Sequence, residues 1–214
     1  MTRTAPPRTP LSFVLAPFAA EMPKAFAAQF LEPINFGDAV VLTGTVDEVW
    51  HRPRWIALFL WLSTLPNVLF PETGQNIPAR LVISPVKTLD GRSVQFWRRT
   101  FLFPRPRRFN ATLAYDPTGH SRIEALGPGG VLETDWSARY VPPSRLVIRS
   151  RSAWIRLRSH RIPLHRVLTP RVRVVQDAAP TSDAVRVDFL MRHPLLGEIF
   201  GYRGSFRSSR RVRN

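Results

Sequence analysis

Five residues join reactive or hydrogen-bonding chemistry to positions that a folded chain would turn inward: Trp97, Arg99, Glu124, His193 and Tyr202. Each is polar or amphipathic, and each sits within an apolar run or at a turn. An arginine on such a face can grip a carboxylate or phosphate through two parallel N–H bonds. Trp97 and Tyr202 would add an apolar wall with polar tips, and Glu124 would hold Arg99 or His193 in position. On one concave surface the five would form a pocket for a lipid or another apolar anion. The same residues also admit a structural role. Arg99 and Glu124 would then be a buried pair fixing register, His193 would cap the turn before Pro194, and Tyr202 would pack on Gly204. Gly201 and Gly204 beside Tyr202 imply a close backbone approach or a bulge in either case.

Recognisable catalytic patterns are absent. The chain holds no HExxH, GxSxG or P-loop run. Without cysteine it has no disulfide, thiolate zinc ligand or thiol nucleophile, and redox compartment cannot be read. His160 and His165 are close enough in sequence to share a site, but Arg158, Arg161 and Arg166 would repel a cation there. His51 and His120 have no such neighbour. Ser121 and Ser205 carry no nucleophile signature, and Glu124, Glu133 and Asp135 do not read as an acid–base pair. No cofactor and no metal is expected, and whether the protein is an enzyme stays open.

The elements that would position these residues are mostly strands. Arg80–Ile83, Ser93–Phe103, Phe109–Tyr115, Ser121–Leu126 and Val131–Tyr140 follow a period of two, broken by Asp90-Gly91, Asp116-Pro117-Thr118-Gly119 and Gly127-Pro128-Gly129-Gly130. In the second of them Trp97, Arg99 and Phe101 share one face, with Phe96 and Arg98 on the other. Arg145–Arg151, Ala153–Arg158, Arg171–Gln176 and Ala184–Met191 continue the series. The run from His193 to Phe206 adds a turn and a last strand. No helical spacing separates the strands, so a Rossmann or α/β barrel fold is not expected. The pattern points to an α+β chain, mostly antiparallel β, as a strongly curved sheet or incomplete barrel with one or two apolar helices over its open side.

Two segments supply those helices. Phe18, Met22, Phe26 and Phe30 recur every four residues, which makes Pro17–Leu31 a helix with one buried stripe, broken at Pro23. The apolar run Leu11–Ala20 behind Arg3 and Arg8 has a signal-peptide look, but Pro17 interrupts it and the amphipathic pattern continues past it. Trp55–Phe70 is the most apolar stretch. As a helix it would be roughly 24 Å long, short of a bilayer core of about 30 Å, and Pro66 shortens it further. It is either a buried helix packed on the sheet or an interfacial segment. In the second case Trp55, Phe59 and Trp61 would dip into lipid while Arg52 and Arg54 meet phosphates.

Length and charge set the outer limits. At 214 residues, 44% of them apolar, the chain can form a real core and is not compositionally disordered. The expected layout is a disordered arm over residues 1–10, one β-rich domain over 11–206 and a basic flexible tail over 207–214. The formal net charge is +16, and all but Lys24 and Lys87 of the basic residues are arginine. Such an excess favours an anionic membrane or nucleic acid, unless it is a compositional habit spread over a solvated surface.

The run Trp97-x-Arg99-x-Phe101, then Glu124 with Gly127-Pro128, Ile162-Pro163, His193-Pro194-Leu195-x-Gly197 and Tyr202-x-Gly204 resembles a bacterial family known as domain of unknown function 4166. Leu15-x-x-Phe18 and Met22-Pro23 resemble the opening helix of that family. The order and spacing of these pieces carry the resemblance, which spans about residues 12–207 and implies a mature N-terminus rather than a signal peptide. Members of the family occur alone and behind saccharopine-dehydrogenase-like Rossmann domains. With no glycine-rich dinucleotide loop, this chain resembles the stand-alone form. The resemblance implies a reductase as a partner or pathway companion and supplies no catalytic residues.

Three functions are therefore expected to compete. The leading one is a binding module for a lipid or other apolar anionic small molecule. The second is a peripheral membrane or interaction protein using the basic surface and residues 55–70. The third is a nucleic-acid binder, for which Phe96-Trp97-Arg98-Arg99 and Trp154-Ile155-Arg156-Leu157-Arg158 supply interleaved aromatic and basic residues. The expected location is the cytoplasm, with the inner membrane face open to it.

Overall fold

The computed structural model describes residues 11–32, 34–62, 64, 67–87, 93–116, 121–126, 131–157, 160–178 and 183–211, with the side chains at 13, 14, 115, 116, 121–124 and 209–211 outside that description. Helical structure is confined to short pieces. These are α1 (Ser12–Leu15) with a 3₁₀ turn (Ala16–Phe18), α2 (Lys24–Phe26) running into a π turn (Ala27–Leu31), and α3 (Ile56–Leu62). Pro23 marks the start of α2 and separates it from α1, as the ring's fixed φ and missing N–H require.

Strands make up most of the remainder. They are β1 (Ala39–Trp50), β2 (Gly74–Lys87), β3 (Ser93–Phe101), β4 (Arg107–Asp116), β5 (Ser121–Leu126) and β6 (Leu132–Val141), followed by β7 (Arg145–Leu157), β8 (His160–Pro163), β9 (Arg171–Ala178), β10 (Ala184–His193) and β11 (Gly197–Arg211). Every pairing is antiparallel, and β6 pairs with β7 while β1 pairs with β11. Ten strands thus close into a barrel, with β8 a flap on the outer half of β7. The sheet is not the incomplete barrel expected, and no helix covers an open side. The difference lies in β1, which the sequence does not announce. Its opening Ala39-Val40-Val41-Leu42 is apolar at successive positions, and Gly44 interrupts the pattern. With β1 present, the last strand gains a partner and the sheet has no free edge there.

Closure depends on two glycines. A Cβ on Gly44 would lie 1.9 Å from the Ser205 carbonyl oxygen, and one on Gly204 would lie 2.5 Å from the Thr45 carbonyl oxygen. The two backbones approach too closely for any side chain at either position. β11 also runs on through Arg207 to Arg211, into the segment expected as a tail, and pairs there with Ala39–Thr43.

A ring of eight strands can just be filled by its own side chains. Ten strands enclose more, and other segments must fill the excess. Leu11, Leu15, Phe26 and Phe30 from the N-terminal helices are buried in the core, so this segment is a plug at the end where β1 begins. At the opposite end Phe70 enters from the connection that carries α3 and meets Phe101, Phe103 and Phe200 edge-on or tilted, at 5.0–5.7 Å between ring centroids. α3 itself buries only Ile56 and Leu60, one turn apart, and exposes its other large side chains. The helix expected over Trp55–Phe70, buried against the sheet in one of its two readings, is therefore a single short cap with an exposed outer side. Among the described residues no helix is long and apolar enough to cross a membrane.

Candidate ligand-binding cavity

Between the helical plug and the aromatic cluster a cavity of about 70 Å³ remains in the middle of the barrel. Its walls come from β1, β2, β3, β4, β6, β7, β9, β10 and β11. Most of that wall is apolar, including Leu81, Phe101, Ile148 and Val174. Leu81, Ile148 and Val174 are only half-buried despite facing inward, because they border the void.

Three of the five residues singled out from the sequence meet here. Trp97, Arg99 and Tyr202 all line the cavity. The Arg99 guanidinium lies 4.7 Å from the Phe109 ring centroid and 5.3 Å from that of Trp97. Two aromatic faces thus orient it, each contact worth roughly 0.5–2 kcal/mol. Trp97 donates its indole N–H to Gln95 Oε1 at 3.3 Å and stacks on Phe30 of the plug. Tyr202 stacks flat on Phe189 at 5.0 Å and meets Phe101 edge-on at 5.3 Å.

His193 does not join them, and the side chain of Glu124 is not among those described. His193 lies at the β10–β11 turn, where its Nδ1 accepts a hydrogen bond from the Leu195 backbone N–H at 3.2 Å. It caps that turn and lines no part of the cavity, because the chain reverses at the barrel rim before the interior begins. Glu124 pairs through its backbone with Leu113 and Thr134, and its side chain lies outside the described residues.

Two polar residues that the sequence reading passed over stand at the void. Gln29 of the plug and Gln176 of β9 are 2% and 4% exposed, and the Oε1 of each accepts no hydrogen bond from the protein. A buried amide oxygen left unpaired costs about 1–3 kcal/mol. Both could have been found. Gln176 alternates with Val174 and Ala178 on the inward face of β9, and Gln29 lies three residues after Phe26, on the flank of the buried stripe.

Among the described residues that line the cavity none is acidic. A chamber with Arg99, the exposed Arg80 at its edge and two amides in an apolar wall suits an anionic or acceptor-rich head on a small apolar body. A profile of the family described as a domain of unknown function, DUF4166, matches residues 22–206. The chain is a member of that family. A relative, the uncharacterised protein YndH of Bacillus subtilis (strain 168), is 24% identical over 170 residues, covering 79% of this chain and 83% of its own. A solved structure described as a "putative thioesterase II" from Thermobifida fusca YX aligns over 82% of this chain and 79% of its own. Its TM-score is 0.24 at 12% identity, too low to bear on fold or chemistry.

The two sequence runs that interleave aromatic and basic residues are packed among the described residues of the DUF4166 barrel. Trp97 is turned inward, and the Arg161 guanidinium covers Trp154 at 3.8 Å. Arg156 and Arg161 both bind Glu133, which is buried beneath them. That arrangement ties the β8 flap to β6. His160 and His165 are exposed, and His165 Nδ1 accepts a hydrogen bond from the Val167 N–H. Among the described residues no three His, Asp or Glu side chains gather as a metal site.

Proposed function

We propose that this DUF4166 barrel is a binding module for a small amphipathic anion, held in the central cavity with its head on Arg99. The carrying observation is that Gln29 and Gln176, whose buried amide oxygens have no protein partner, line a void also lined by Arg99. A fold that needed only an apolar core would not keep such groups without a return. Arg99 supplies charge and two parallel donors to a carboxylate or phosphate. The glutamines supply selectivity through hydroxyl or N–H groups on the ligand. Tyr202, Phe101 and Val174 supply the apolar wall.

Size limits the occupant. In the same measure a water needs about 10–15 Å³, and a benzene-binding cavity is about 150 Å³. The cavity of about 70 Å³ therefore takes a few waters or a head group, not a long acyl chain. A larger ligand requires the plug to yield. α2 and its π turn are suited to this, since each is a single turn and neither begins with a capping side chain.

Native mass spectrometry of the purified protein with gentle activation tests the proposal, alone and with added hexanoate or hexyl phosphate. We expect a discrete added mass in the wild type and at least a tenfold weaker signal in Arg99→Met, at an unchanged far-UV circular dichroism spectrum. A wild type that carries no mass and takes up neither probe overturns it.

A further inference from the structure

We propose that the α3 end of the barrel docks on an anionic lipid surface. Among the ten barrel strands each runs antiparallel to the next in the chain, with the β8 flap inside the β7–β9 connection, so the connections alternate between the two ends. Of the large apolar side chains exposed among the described residues, all but Phe36, Val86 and Val141 lie at the α3 end. Trp55 precedes α3, and Leu58, Phe59 and Trp61 project from it at 57–71% exposure. Leu102 comes from the β3–β4 connection, Leu168 from β8–β9 and Leu195 from β10–β11. Isolated exposed leucines would be distributed over both ends. Convergence of separate connections on one end is the mark of an interaction surface.

Charge selects the occupant. Arg52, Arg54, Arg105, Arg108, Arg166 and Arg192 are exposed at or near this end. Of the acids there, Glu48 binds Arg203, Glu72 binds Arg107 and Glu133 is held between Arg156 and Arg161, so Asp47 and Glu198 stand against a cationic rim. A lipid surface offers hydrocarbon to protruding Trp and Leu side chains and phosphates to the arginines around them. α3 has no polar face because its inner side is buried on the barrel and its outer side would enter lipid. With seven residues it would lie on the bilayer rather than cross it.

The docking stands independently of the cavity. Co-sedimentation with phosphatidylcholine vesicles, with and without phosphatidylglycerol, tests it. The variant carries Trp55→Ser, Leu58→Ser and Trp61→Ser, all at exposed positions where folding does not depend on them. We expect the wild type to bind anionic vesicles and release them as salt rises, with tryptophan fluorescence quenched by brominated lipid. The triple variant should lose at least tenfold in partitioning, while Phe36→Ser at the opposite end binds as the wild type. Wild-type protein that ignores vesicles, or a triple variant that binds unchanged, overturns the proposal. So does loss of a dimer in the triple variant without any vesicle binding, which would assign this end to a second copy of the chain.

Discussion

Gln176 shows what the cavity costs the fold. Its buried Oε1 has no protein partner, so Gln176→Met should stabilise the protein by about 1–2 kcal/mol, a rise of roughly 2–8 °C in Tm for a chain of this size. The same change should weaken ligand binding. A thermal melt run beside a binding assay checks both, and a variant that is less stable would show that the amide is a structural partner. Tyr140 makes a second prediction. Its hydroxyl donates to the Pro143 carbonyl, and burial, with Glu21 adding to it, holds the phenol above its ordinary value of 10.0. The unfolded chain then loses this proton first. The stability from Tyr140 is present below pH 10 and is lost as pH rises through the folded value. Stability against pH in Tyr140→Phe should accordingly fall less steeply above pH 10 than in the wild type, as urea titrations at stepped pH would measure. The part of the site on β3 was legible because a period of two fixes which residues share a face. His193 was not, since only the position of the turn decides whether a residue at a strand's end points in or caps.

The seam between β1 and β11 is the element on which closure rests. Gly44→Ala drives a Cβ into the Ser205 carbonyl and should cost about 3 kcal/mol or more, at the upper end of overpacking costs. Gly74→Ala meets the movable Ile77 Cδ1 at 3.0 Å instead and should cost under about 1 kcal/mol. Urea denaturation of the two variants separates them, and equal loss would deny the seam its special role. Strands β2 to β7, β9 and β10 could be read from alternation and turn residues. β1 could not, because a strand with apolar residues in succession and a glycine at its centre has no periodic signature. The N-terminal helices were legible as a stripe, but their place inside the barrel was not. A stripe states that a face is buried and not what buries it.

At the scale of the whole molecule the barrel has two unlike ends. One is stoppered by short helical turns, and the other is capped by α3 and rimmed with exposed apolar side chains and arginine. The net charge of +16 says nothing of where on the surface the charge gathers, which follows only once the topology assigns each connection to an end. The void between the ends arises because ten strands enclose more than their own side chains fill. The most direct measurement of what that void is for is a crystal structure of the protein grown with 6-bromohexanoate, with anomalous data at the bromine edge. A bromine peak inside the barrel, with the carboxylate on Arg99 and the plug around Gln29 shifted outward, is the predicted result. Bromine confined to the outer surface, with an unchanged interior, would contradict the assignment of the cavity as a binding site.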